Sequence, residues 1–87
     1  MELFSFIYVL HYILKSLSDN SHYYGQTENL QKRVEEHNLG LSGYTKKHIP
    51  WKLIYYEEFS TRSEAMKREK FFKSIEGHKW LKENGII

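Results

Sequence analysis

Two kinds of pattern alternate along the chain: short runs of aromatic and β-branched residues, and stretches in which apolar side chains recur at helical spacing. The run Leu3 to Leu14 is apolar apart from Ser5 and His11. It predicts a strand over roughly Phe4 to Lys15 with both faces buried. Ser16-Leu17-Ser18-Asp19-Asn20-Ser21 carries turn residues, and His22 to Gln26 follows as a second, short strand. The pair reads as a β-hairpin that brings Tyr12 and Tyr23 near one another on adjacent strands.

Asn29 is placed to cap a helix running to about Leu39, with Gly40 as its left-handed stop. Its expected apolar stripe is Leu30, Val34 and Leu41, and Arg33 and His37 lie along one border of that stripe. Ser42 to His48 is a basic, polar connection, after which Pro50 introduces a third strand over Trp51 to Phe59. Thr61 and Glu64 form a capping box that opens a helix to about Ile75. On its wheel Ala65, Met66 and Phe72 make the buried arc, and Glu69 falls in the middle of that arc, with Lys67, Arg68, Lys70 and Lys73 outside it. Gly77 is read as a break before a short terminal helix from His78 to Asn84, anchored by Trp80 and Leu81.

Composition narrows the frame. Eighty-seven residues, 40% apolar and 28% charged, fit one small domain spanning residues 1–87 with a modest core. The absence of Cys excludes a disulfide framework and thiolate metal clusters, and suits a reducing, cytoplasmic setting. The apolar N-terminal run falls short of the ~20 residues of a membrane span, and no basic segment precedes it as in a signal peptide. The net charge of +2 gives no global attraction to polyanions. Even so, Lys46, Lys47, Arg62, Lys67, Arg68, Lys70, Lys73 and Lys79 all fall in the second half, where local basic patches can form.

Tyr12, Tyr23, Arg33, His37 and Glu69 together hold the parts of a phosphodiester-cutting site: a proton acceptor, a fixed cation for the phosphate and a carboxylate for a metal. Each also has a structural reading. Aromatics in strands usually belong to the core, and Arg33 and His37 suit a solvated helix face with one packed imidazole. Glu69 carries the strongest signal, because a carboxylate on a core-facing stripe needs a partner; a purely structural one would be Arg33 or Arg62. His11, His22, His48 and His78 show no metal-ligand spacing and are given no role.

These residues resemble the GIY-YIG nuclease family, in particular its small stand-alone bacterial members, similar to the N-terminal domain of UvrC. Tyr12-Ile-Leu-Lys-Ser16 resembles the first signature, with His11 standing where the family has Ile or Val. Tyr23-Tyr24-Gly25 resembles the second, with Tyr24 in place of Ile. Arg33, His37 and Glu69 fall on the family's arginine, its His or Tyr one turn later, and its metal-binding glutamate. Ser42-Gly-Tyr-Thr-Lys-Lys47 and Pro50 to Phe59 also look like the stand-alone members, and the resemblance covers about residues 8–75. Phe6-Ile7-Tyr8 mimics the first signature too, but Tyr12 gives the usual hairpin length. The chain departs from the pattern at Gln26, where some members carry Lys, and at Leu81, where many carry Asn; Asn84 is out of register.

The resemblance implies an α+β fold, a three-stranded antiparallel sheet flanked by helices, and a hydrolase: a metal-dependent DNA endonuclease of DNA repair or processing. It implies Tyr12 or Tyr23 as base, His37 assisting, Arg33 on the phosphate, Gly25 as a structural requirement, and Glu69 holding one Mg²⁺ or Mn²⁺. DNA would be held by Lys46, Lys47, Lys67, Lys70 and Lys73, with a partner protein supplying specificity and no membrane involved. All five site residues should converge on one concave surface, and a Glu69 on the far side of the sheet from Arg33 would count against the nuclease reading. The competing readings are a nucleic-acid-binding module with weak or partner-dependent cleavage, and an interaction domain without nucleic acid.

Overall fold

The computed structural model describes residues 8–87. The part of the first strand expected at residues 4–7, and with it Phe6-Ile7 of the competing signature, lies outside them. The elements are β1 (Val9–Ser16), β2 (His22–Thr27), α1 (Leu30–Asn38), a 3-10 turn (Thr45–His48), β3 (Trp51–Phe59), α2 (Arg62–Phe72) and α3 (Ile75–Glu83). The three strands form one antiparallel sheet in the order β2-β1-β3. The protein is therefore α+β, as the sequence predicts.

β1 is central, and its alternation feeds two cores. Tyr12 and Leu14 pack with Trp51 on one face, where Leu30 and Val34 of α1 cover them. Ile13 packs with Phe72 and Leu81 on the other, under α2 and α3. A strand buried on both faces shows the unbroken apolar run seen in the sequence. Asn29 caps α1 by accepting from the Lys32 N–H, and Gly40 follows with φ of 77°. The Asn38 side chain accepts from the Trp51 N–H at 2.6 Å and donates to the Trp51 carbonyl at 3.0 Å, tying the end of α1 to the start of β3.

Three expectations about the helices change. α2 ends at Phe72 rather than near Ile75, because Ser74 caps a new helix by accepting from the Gly77 N–H. Gly77 is thus inside the first turn of α3 rather than a break before it; a Cβ there would lie 1.8 Å from the Phe71 carbonyl oxygen, so α3 can turn off α2 this tightly only with glycine. Leu41 and Met66, assigned to apolar stripes, are exposed, whereas Trp80 and Leu81 do anchor α3. No helix among the described residues is long and apolar enough to cross a membrane.

Candidate active site

Tyr12, in the middle of β1, is 1% exposed. Its ring crosses over Gly25, its partner in the β1–β2 register. A Cβ at Gly25 would lie 2.5 Å from the Tyr12 hydroxyl and 2.9 Å from the Tyr23 ring. Glycine is needed here for space, not for backbone freedom. Gly25→Ala is expected to destabilise the fold by about 1–3 kcal/mol through overpacking. Urea unfolding is the check, and a variant as stable as the parent would show that Tyr12 does not depend on this gap.

The hydroxyl of Tyr12 lies 2.8 Å from Nε2 of His37, which α1 delivers fully buried. Nδ1 of His37 is 2.7 Å from the hydroxyl of Thr45, which is also buried. Tyr23 closes the group, its ring centroid 6.3 Å from Tyr12 and 4.9 Å from His37. Burial, with the Arg33 charge second, lowers the His37 pKa to about 4, so its imidazole is neutral at pH 7. Burial pushes the Tyr12 phenol up to about 12, against the opposing pull of Arg33. Phenolate is therefore not the resting form of Tyr12.

Arg33 stands one turn before His37. It donates to the Ser42 hydroxyl at 2.9 Å and to Glu36 at 3.4 Å. The cation is held by these two partners while still reaching solvent, its side chain 31% exposed.

Glu69 is 22% exposed and does not pair with Arg33 or Arg62. Its carboxylate meets Lys73 at 3.2 Å, and its other oxygen lies 3.8 Å from Nδ1 of His11. It belongs to the α2 face of the sheet, whereas Arg33 belongs to the α1 face. The expectation of a shared side is corrected accordingly: single-helix periodicity says which residues face the sheet, not which face of the sheet they meet. The two approach each other around the free edge of β2. Gln26 and Arg62 line both the groove holding Glu69 and the groove holding Arg33. Glu69 and Arg33 both act on the acidity of Tyr12, in opposite directions.

Lys67, Lys70 and Lys73 line the Glu69 groove. Lys46 and Lys47 are exposed on the 3-10 turn that carries Thr45. At the two departures, Leu81 is buried in the core, and the Asn84 side chain donates to the Trp80 carbonyl at the end of α3.

The sequence reading passed over three contributors. His11 is buried between Tyr24 and Phe72, donates from Nδ1 to the Gly25 carbonyl at 3.0 Å, and has no partner for Nε2. Burial lowers its pKa, so it meets Glu69 as a neutral ring. Thr45 and Ser42 lie in a run that the resemblance covers but in which only the lysines are given a role. Their signal was the hydroxyls beside Tyr44, but only the fold shows what they touch.

Among the described residues no group of three His, Cys, Asp or Glu side chains gathers into a metal cage. A hard divalent ion does not need one, since Mg²⁺ is commonly held by one or two carboxylates, waters and substrate phosphate. The partly exposed Glu69 carboxylate fits that donor set.

A family model described as the GIY-YIG catalytic domain matches residues 6–83. The UPF0213 protein lin0209 of Listeria innocua is 49% identical over 65 residues, covering 74% of this chain and 71% of that protein. The UPF0213 protein YazA of Bacillus subtilis is 48% identical over 65 residues, covering 74% and 65%. The solution NMR structure of the UPF0213 protein BH0048 from Bacillus halodurans is similar with a TM-score of 0.51 at 30% identity, covering 85% of this chain and 81% of that one.

Proposed function

The chain belongs to the GIY-YIG catalytic-domain family, and from that premise we propose that it is a metal-dependent DNA endonuclease of the cytoplasm, acting in DNA repair or processing. The observation that carries this reading is the buried contact of Tyr12, His37 and Thr45 one helical turn from Arg33; that Glu69 reaches toward it from the opposite face of the sheet counts against the reading and is what the cleavage test must outweigh. A core needs no such set; a phosphate with an attacking water does.

Glu69 would hold one Mg²⁺ or Mn²⁺, which supplies positive charge for the scissile phosphate and the departing oxygen. Arg33 binds the phosphate and offsets the charge that grows on it. Tyr12 or Tyr23 accepts the proton of the attacking water, and His37, neutral at pH 7, assists by accepting in turn. Lys46, Lys47, Lys67, Lys70 and Lys73 contact the backbone. The test is cleavage of plasmid, branched and single-stranded DNA with and without Mg²⁺ or Mn²⁺. Metal-dependent strand breaks are expected, and their absence on all three substrates would defeat the proposal.

One observation favours the second reading, a nucleic-acid-binding module whose cleavage is weak or depends on a partner protein. The resting site is not poised: Tyr12 is held at about 12 and Glu69 is occupied by Lys73. Under either reading, duplex binding should be weak and indifferent to sequence, because phosphate contacts dominate. Affinity is expected to fall steeply with added salt; a salt-insensitive affinity, or one that ranks sequences by orders of magnitude, would contradict it.

A further inference from the structure

We infer that Thr45 is a positioning residue, whose hydroxyl fixes the tautomer of His37 that lets Tyr12 donate its proton inward and keep its oxygen lone pairs for the substrate side. The geometry stands alone; its consequence for rate rests on the nuclease reading.

Both ends of the contact chain favour the same tautomer, and the Thr45 hydroxyl, the one acceptor of Nδ1–H among the described residues, decides it. At the Tyr12 end, the phenolic oxygen is buried and its hydrogen-bond partner is Nε2 of His37. If His37 donated there from Nε2, the buried phenolic proton would have no acceptor. With Nε2 as acceptor, the Tyr12 proton is satisfied at 2.8 Å. At the other end, the acceptor beyond the Thr45 hydroxyl is the Ser42 carbonyl oxygen, at a long 3.5 Å. A hydroxyl that donates to a carbonyl is free to accept from Nδ1–H, at 2.7 Å. The proton therefore sits on Nδ1.

The chain of contacts also reaches Arg33. Ser42, whose carbonyl orients Thr45, accepts from Arg33 through its own hydroxyl at 2.9 Å. Tyr12, His37, Thr45, Ser42 and Arg33 thus form a chain that couples the phosphate-binding cation to the proton path. Thr45 is held in it through its backbone, whose carbonyl accepts from the indole of Trp51 at 2.8 Å.

The direction of the chain sets the direction of the proton. As the water oxygen bonds to phosphorus, its O–H bond breaks and that proton passes to the Tyr12 oxygen. Tyr12 gives its original proton to Nε2 of His37, and Nδ1–H stays on Thr45. The P–O3′ bond breaks, and the departing oxygen takes its proton from solvent. With the other tautomer, Nε2 has no lone pair for the Tyr12 proton, and the path is closed.

The test combines His37 tautomer assignment by long-range ¹H–¹⁵N NMR with cleavage kinetics on the parent, Thr45→Val and Thr45→Ser. The parent is expected to carry the proton on Nδ1. Thr45→Val should release His37 toward the Nε2–H form and lower kcat by about ten- to a hundredfold with KM unchanged, and Thr45→Ser should restore both. A merely structural threonine would move melting temperature without moving the tautomer. Three results overturn the inference: a parent protonated on Nε2, a Thr45→Val variant that keeps the parent tautomer, or a switched tautomer with undiminished kcat. Thr45→Ala gives the same comparison if the valine does not fold. If the parent cleaves nothing, the nuclease reading fails, while the tautomer comparison still decides the role of Thr45.

Discussion

Glu69→Gln is expected to abolish Mg²⁺-dependent cleavage while leaving DNA affinity nearly unchanged. The substitution keeps the side chain's length and one acceptor oxygen but removes the charge that a hard cation needs. Of the lysines that contact the backbone, Lys73 pairs with Glu69, and the others do not depend on that charge. Stability should change little, by about 0.5 kcal/mol or less, because the carboxylate is partly exposed and its ion pair with Lys73 is of the weak surface kind. The measurement is cleavage against metal concentration beside DNA binding and melting temperature. Equal cleavage by variant and parent under matched conditions would remove Glu69 from the site.

Arg33→Ala should lower the cleavage rate by roughly two to three orders of magnitude, since its charge matters most when negative charge grows on the phosphate. Substrate binding should change little. Arg33 does not pair with Glu69, so its loss leaves no buried acid unpaired. Its neighbours Glu36 and Ser42 are partly exposed and can turn to water, and a loss near 1 kcal/mol is expected. The pKa of His37 should rise from about 4, because Arg33 opposes the imidazolium, yet stay below its ordinary value because burial is the larger cause. An NMR titration of His37 reads this without substrate. A folded variant with undiminished cleavage would defeat the role of Arg33; weakened binding with no cleavage in the parent would favour the binding module.

Most of the fold was legible because its signals are local. Asn29 and Gly40 bracket α1, Thr61 opens α2, and the unbroken apolar run of β1 announces a strand covered on both sides. The junction of α2 and α3 was not legible, because it depends on Gly77 packing against the Phe71 carbonyl, a contact no propensity encodes. At the site, Tyr12 and Tyr23 could be paired from the hairpin, and Arg33 with His37 from helical spacing. Their arrangement could not. A central strand buried on both faces does not say which helix covers which face, so Glu69 and Arg33 were expected together and stand apart. His11 was set aside because imidazoles were read for metal spacing, whereas its surroundings are a carbonyl, two rings and a carboxylate.

The central place of β1 also governs when the molecule becomes capable of chemistry. As the first strand described, it pairs with β2 at once across a short turn, but its other flank waits for β3, beyond α1 and the 3-10 turn. Pairings between distant parts of a chain form late, since loop closure precedes any gain from the contact. On the ribosome, the nascent chain holds its tyrosines and Arg33 well before α2 and Glu69 have emerged. If the proposed nuclease reading holds, a ribosome-bound fragment ending in β3 is inert, and the enzyme is disarmed until the helix that carries Glu69 has been made.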